Sequence, residues 1–325
     1  MHELIAAALS ARAGRIALGL GLIGAVILPF TVADFTVFRF TLAIIWSLAI
    51  LGMVILAGVS GQFSFGHSAF YGMGGYTAAI LSNHLGLSVY WALPVAIVVC
   101  FVVGFLFGMV AARLGLWYQA LATFGLALAF PQFLRWSKVE AVTGGVQGFY
   151  LDLQGAPEAT GLSADQWWYL LSLSLLVVGM VLARNIIAGR PGRALKAVRD
   201  NDLAAAANGI DVPRYRAMAF GISAVYVGVA GYLAAIQLNF VAPGTYSFWL
   251  SVQFVIGLVV GGMNSVGGAA IGGLFMQFFP DLVAQLGYRQ TTAISGVLLI
   301  GAVIAMPTGV AGALARLRHY LLGRR

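Results

Sequence analysis

Residues 40–112 read FTLAIIWSLAILGMVILAGVSGQFSFGHSAFYGMGGYTAAILSNHLGLSVYWALPVAIVVCFVVGFLFGMVAA, a run of 73 residues without one Asp, Glu, Lys or Arg. A membrane-crossing helix needs roughly 20 apolar residues, so this run alone has room for about three. Working outward, further charge-free intervals lie at Ile16–Ala33, Leu114–Leu134, Gln166–Ala183, Ala217–Pro280 and Gln290–Ala315. The interval 217–280 has room for about three more helices and each shorter one for a single helix, about ten in all. The expected spans are 16–35, 40–60, 63–83, 90–112, 116–135, 167–188, 214–237, 246–262, 267–286 and 291–308.

Composition agrees. Of 325 residues 61% are hydrophobic and only 9% charged, with a mean hydropathy of +0.95. A soluble surface needs nearer 25% charged residues. Helices are required because lipid offers the backbone no hydrogen-bond partners. A barrel would show alternating segments of about ten residues, and these runs are continuous. The expected fold is all-α and polytopic, a single transmembrane domain over residues 1–325. The first segment follows Arg12 and Arg15, is as long as a span and lacks a small-x-small cleavage site, so it reads as retained.

The charges set the orientation. Ten spans with both termini cytoplasmic place Arg12, Arg15, Arg113, Arg184, Arg190, Arg193, Lys196, Arg199, Arg214, Arg216, Arg316, Arg318, Arg324 and Arg325 inside. Only Arg39, Arg135, Lys138 and Arg289 fall outside. The net charge of +8 is thus a positive-inside signature, and no nucleic-acid partner is needed to explain it. The lone cysteine, Cys100, excludes an intramolecular disulfide and reads as packed.

A repeat appears at an offset of 201 residues. Gly61, Ser64, Gly66, Ala69 and Gly72 align with Gly262, Ser265, Gly267, Ala270 and Gly273. The spans of 16–112 parallel those of 214–313, and six intervening spans imply a parallel repeat about the membrane normal. Its glycine-rich segments, near 63–83 and 267–286, are expected to be short or broken helices.

Polar residues inside a membrane face a cavity or another helix. Gln62, Ser64, His67, Ser68 and Tyr71, with Asn264 and Ser265 in the second repeat, are therefore candidates for lining a solute path; tight helix packing is the alternative. No second ligand stands at metal spacing beside His67, which favours a hydrogen-bonded structural histidine over a metal ligand or proton relay. The loop 189–213 has its own pattern. Pro191 suits a helix start, Asp200 or Asn201 suits a cap, and Gly209 suits a helix end. Two short helices are expected, with Arg193, Lys196 and Arg199 on one basic face, or else a solvated, lipid-facing positive loop.

Several stretches, in order, resemble the permeases of branched-chain amino acid ATP-binding-cassette importers, specifically their M-type subunit. They are Gly61-Gln62-Phe63-Ser64-Phe65-Gly66-His67-Ser68-Ala69-Phe70, Thr143-Gly144-Gly145-x-x-Gly148 and Gly192-Arg193-Ala194-Leu195-Lys196-Ala197-Val198-Arg199-Asp200. Gly209-Ile210-x-Val212-x-Arg214-Tyr215 and Gly257-x-x-x-Gly261-Gly262-x-x-Ser265-x-x-Gly268 complete the set. The resemblance implies that the loop helices dock on a partner ATPase, through Arg193, Leu195, Lys196, Arg199, Asp200, Ala204, Ala205 and Gly209. Leu203-Ala204-Ala205-x-x-x-Gly209 stands in place of a Glu-Ala-Ala-x-x-x-Gly pattern, and the glutamate is missing. Thr143, Gly144 and Gly145 mark an outer loop, where Val146 and Gln147 replace smaller or more polar residues. If that loop meets the binding protein or solute, the departure implies a cargo other than leucine or isoleucine, and the resemblance extends to systems for urea, short amides and small carboxylates.

The chain has no G-x-x-x-x-G-K-[ST] phosphate loop, so it is read as a transport subunit and not an enzyme. ATP and Mg²⁺ are expected on two partner ATPase subunits, with no cofactor in this chain. The resemblance also implies a second homologous permease, a periplasmic solute-binding protein and a bacterial inner-membrane location. A homodimeric sugar-type permease is the alternative within the class. An ion-coupled secondary transporter is disfavoured, because the central spans carry no acid.

Overall fold

The computed structural model describes residues 19–151, 155–157 and 160–285, together with Gly309 and Gly312. Twelve helices occur among them: α1 (Gly19–Phe30), α2 (Asp34–Met53, continued by a π-helix at Val54–Val59), α3 (His67–Leu85) and α4 (Val89–Ala111). α5 (Leu116–Leu134), α6 (Glu140–Thr143), α7 (Ala164–Ala188), α8 (Arg190–Asp200) and α9 (Asp202–Ala207) follow. α10 (Val212–Leu238), α11 (Phe248–Gly261) and α12 (Val266–Gln285) complete them. The protein is all-α and multi-pass: α2 with its π extension, α4, α7, α10 and α12 are long and apolar enough to cross a membrane. The span expected at 291–308 lies outside the described residues, as do both chain ends and residues 286–313 of the second repeat half apart from Gly309 and Gly312.

Two boundaries differ from the sequence expectation. α2 begins at Asp34 and not near residue 40, because the carboxylate sits in the first turn, where the helix dipole favours it. Arg39 is therefore helical, and it pairs with Asp281 on α12 while lying over the Phe278 ring. α7 begins at Ala164 through a capping box. Ser163 Oγ accepts from the Gln166 amide at 3.2 Å, and the Gln166 side chain accepts from the Ser163 amide at 3.1 Å.

α2 and α10 are the central helices, with 89% of the most apolar window of each buried, against 22% in α4 and 28% in α7 and α12. α10 packs on α2, α3 and α4, while α2 also packs on α7, α11 and α12. Close approach rests on small residues, since a methyl at Gly74 or Gly231 would overlap the Gly228 or Tyr71 carbonyl across the α3–α10 contact. Lipid forms no hydrophobic contrast with these helices, so such close van der Waals packing holds them together. The outward stripe on α4 is Trp91, Val95, Val98, Val102, Leu106 and Val110, at helical spacing.

The connections sort to two ends. At one end lie residues 60–66, 112–115, 189–211 and 262–265. At the other, a short antiparallel pair joins β1 (Phe149–Tyr150) to β2 (Phe240–Val241), and Gln166 Nε2 donates to the Pro29 carbonyl at 3.1 Å. The described cations divide unevenly between them. Arg113, Arg184, Arg190, Arg193, Lys196, Arg199, Arg214 and Arg216 gather at the first end, against Arg39, Arg135 and Lys138 at the second.

Candidate coupling site at the basic end of the bundle

The 189–211 segment folds as two short helices at a sharp junction. Asn201 is extended, closes α8 and opens α9, its Oδ1 accepting from the Ala204 amide at 3.0 Å. Gly209 takes a left-handed φ of +81°, and Asp211 then caps α10 by accepting from the Arg214 amide at 3.2 Å. Apolar residues at i and i+3 give α8 its inner face: Leu195 and Val198 are 2% and 1% exposed. Asp202 pairs with Arg216 on α10 at 3.3 Å.

This geometry corrects the expected docking set. Leu195 and Ala205 are buried within their own chain and anchor the two helices, so they offer no surface to a partner. Asp200 is bound to the neighbouring Arg199 at 3.1 Å. Arg199 itself turns toward the bundle and donates from Nη1 to the Gly58 carbonyl at 2.8 Å. Arg199 and Asp200 remain exposed, so the basic face keeps all three cations, but Arg199 is tied to the bundle while Lys196 points outward and Arg193 donates to the Ala188 carbonyl at the end of α7. Beside it Ala204 and Gly209 are exposed, and Leu203, 81% exposed, forms an apolar tip.

Beneath the two helices several elements converge. Gly58 lies in the π-helical end of α2, and a methyl there would overlap the Met263 carbonyl in the 262–265 turn. Gly61 has φ +72°, and a Cβ on it would stand 2.5 Å from Arg199 Cγ, so the arginine stem lies across bare backbone. Next, Gln62 ties three elements together. Its Nε2 donates to Ser60 Oγ at 2.6 Å and to the Arg216 carbonyl at 3.1 Å, while its Oε1 accepts from Gln119 Nε2 at 2.7 Å.

His67, fully buried at the start of α3, bridges two serines. Nδ1 lies 2.8 Å from Ser64 Oγ and Nε2 lies 2.9 Å from Ser223 Oγ on α10. Both ring nitrogens are engaged, which leaves neither to hold a metal ion.

The path candidates therefore separate. Gln62, Ser64, His67 and Ser68 are at most 1% exposed, and the first three are bonded within the chain; they form a polar seam and do not line an open surface. Bonds to neighbouring helices supply partners for Gln62 and His67, whereas the Ser68 hydroxyl is buried without one among the described residues and only its amide is bonded, to Ser251 Oγ. Tyr71 is half-buried between the Tyr246 and Phe254 rings. Asn264 is exposed, and Ser265 accepts from the Gly268 amide at 3.0 Å to open α12. Gln119 and Ser223, polar residues inside apolar runs, were readable as seam members from that signal alone. Gly58 and Met263 carried no such signal.

Comparison with known proteins places the molecule. Residues 35–306 match the family model described as branched-chain amino acid transport system / permease component. The chain belongs to this family. Among its relatives is the high-affinity branched-chain amino acid transport system permease protein LivM of Escherichia coli (strain K12), 29% identical over 86% of this chain and 71% of that protein. The corresponding LivH protein of Salmonella typhimurium is 26% identical over 84% of this chain and 92% of its own length. The autoinducer 2 import system permease protein LsrC of Enterobacter sp. (strain 638) is 28% identical over 66% and 63%. The higher identity to LivM agrees with the M-type resemblance. No solved structure matches the chain significantly.

At the opposite end of this permease the Thr143-Gly144-Gly145-x-x-Gly148 motif is a folded loop. Thr143 Oγ1 donates to the Leu134 carbonyl at 2.7 Å, and Gly144, Gly145 and Gly148 all adopt positive φ. A side chain at Gly148 would overlap the Val241 carbonyl, so glycine is needed where β1 meets β2. Val146 and Gln147 are exposed at the loop tip.

Proposed function

We propose that this permease is the M-type translocation subunit of an ATP-binding-cassette importer, carrying branched-chain amino acids or similar small polar solutes into a bacterial cell. A second homologous permease completes the pathway. Two separate ATPase subunits, which hold ATP and Mg²⁺, drive alternating access, and a periplasmic binding protein delivers the solute. The basic end of the bundle lies in the cytoplasm of an inner membrane, as the positive-inside rule requires, with both termini on that side. The two glycine-rich breaks at 61–66 and 262–265 are read as equivalent parts of a parallel repeat.

One observation carries the reading. α8 and α9 project an exposed basic and apolar surface (Arg193, Lys196, Leu203, Ala204), while their inner side is anchored to the bundle by Leu195, Val198 and Ala205. Such a surface suits a rigid handle for a motor subunit. ATP-driven motion of the handle would bias the bundle between two states that differ in affinity for the motor.

The test is a double substitution, Arg193→Glu with Lys196→Glu, in the full complex. Loss of co-purifying ATPase and of uptake is expected, and unchanged assembly and transport would remove the reading. The match to an autoinducer 2 import permease favours a second cargo, autoinducer 2 or a similar small solute. Titrating the cognate binding protein with amino acids, urea, amides and autoinducer 2 decides between them.

A further inference from the structure

Arg199 stands in the loop as though for docking and is partly exposed, yet one guanidinium nitrogen is committed to the end of α2. Gly58 is in the last turn of the α2 π extension, where backbone carbonyls have no donor from their own helix. Arg199 supplies that donor at 2.8 Å from 141 residues away in sequence. A cation at a helix C-terminus is also favoured by the dipole. Asp200 holds the guanidinium from the other side, and Gly61 leaves the groove in which the stem lies.

Gly58 is also where the two glycine-rich breaks touch. Its backbone faces the Met263 carbonyl, and three residues beyond Gly61 begins the Ser64–His67–Ser223 bridge to α10. Single π-helical turns sit frequently at functional sites, and each holds one residue more than an α-helical turn would. The contacts at this point join α8 to α2 and the 262–265 turn, and Gln62, four residues beyond Gly58, is bonded to Gln119 in the first turn of α5 and to the Arg216 carbonyl of α10. Leu195 and Val198 hold α8 in place, but apolar contacts permit sliding. The hydrogen bond from Arg199 is directional.

We propose that Arg199 is a positioning residue for transport: it transmits displacement of α8 to the π-helical end of α2 and the 262–265 turn, and is not part of the surface that holds the ATPase. The proposal rests on the importer reading above and adds the route by which the handle moves the bundle.

The test uses the complete importer in proteoliposomes, with three readouts: ATPase retained, ATP hydrolysed and solute taken up. Arg199→Met keeps the stem and removes the charge and the donors. It is expected to retain the ATPase and hydrolyse ATP while solute moved per ATP falls roughly tenfold, within the range of site-to-site coupling free energies. Gly61→Ala should give the same uncoupling from the other side, because the new methyl displaces the arginine stem. Arg199→Lys, with the stem and one donor site kept, should fall between wild type and Arg199→Met and covers a folding defect in the latter.

Wild-type transport per ATP in Arg199→Met, or in both Arg199→Lys and Gly61→Ala, overturns the proposal. Loss of the ATPase from Arg199→Met also overturns it, by making Arg199 a docking residue while leaving the importer reading intact. Unchanged assembly together with unchanged transport in the Arg193→Glu, Lys196→Glu pair instead removes the reading of this surface as the ATPase handle.

Discussion

Replacing Leu195 by alanine isolates what fastens the two loop helices to the bundle. The side chain is 2% exposed, and its helix is otherwise held by Val198, the Arg199 bond and the close contact of Gly192 with the last turn of α7. Truncating a buried leucine costs about 2 to 5 kcal/mol through lost burial and residual cavity. α8 is short and borders solvent, so the cost should appear as local opening before global unfolding. At the low end, about 2 kcal/mol multiplies the open fraction about thirtyfold, since 1.4 kcal/mol is a factor of ten. Hydrogen exchange of the amides from 190 to 209, measured in nanodiscs, reads this directly. Lys196→Ala, exposed one position along, should change it by less than about 0.5 kcal/mol. Equal exchange in both variants and wild type would show that α8 is not anchored through its inner face, and the reasoning would fail.

Two more predictions follow from the seam and the loop. His67→Leu leaves the Ser64 and Ser223 hydroxyls against an apolar side chain, for a loss of about 1 to 3 kcal/mol, seen as a lower melting temperature with uptake per folded complex kept. Abolished uptake at unchanged melting temperature would instead assign His67 to the solute. Gly148→Ala forces a side chain into positive φ against the Val241 carbonyl and should unpair β1 from β2 at a cost of about 1 to 3 kcal/mol. Unchanged exchange at Phe149 and Val241 would contradict it.

The fold class was legible because lipid reduces the problem to one dimension. A charge-free run long enough to span must be a helix, and the runs around 40–112 and 217–280 contain most of those found. Boundaries set by caps were legible only where the cap is local. The Ser163–Gln166 box is local and starts α7 three residues before the expected position 167, which rests on the charge-free run alone. The expected start of α2 is late because Arg39 bounds the charge-free run, and the helix accommodates Arg39 through Asp281, 242 residues away.

Chemistry and local pattern by themselves determined that this chain lives in a membrane, that its cations gather at one end, and that 189–211 forms two short capped helices. Each follows from neighbours in sequence or from composition. Which face of those helices is free was decided by tertiary packing alone. Arg193, Lys196 and Arg199 share a helical spacing; Arg193 donates to the Ala188 carbonyl at the adjoining end of α7, whereas Arg199 reaches the Gly58 carbonyl, which is free because a distant helix ends there. Likewise, Gln62 and His67 look path-like in a linear reading, and only the arrival of Gln119, Arg216 and Ser223 from other helices turns them into a closed seam. A polar group buried in a bilayer must be satisfied, but sequence spacing cannot say by whom.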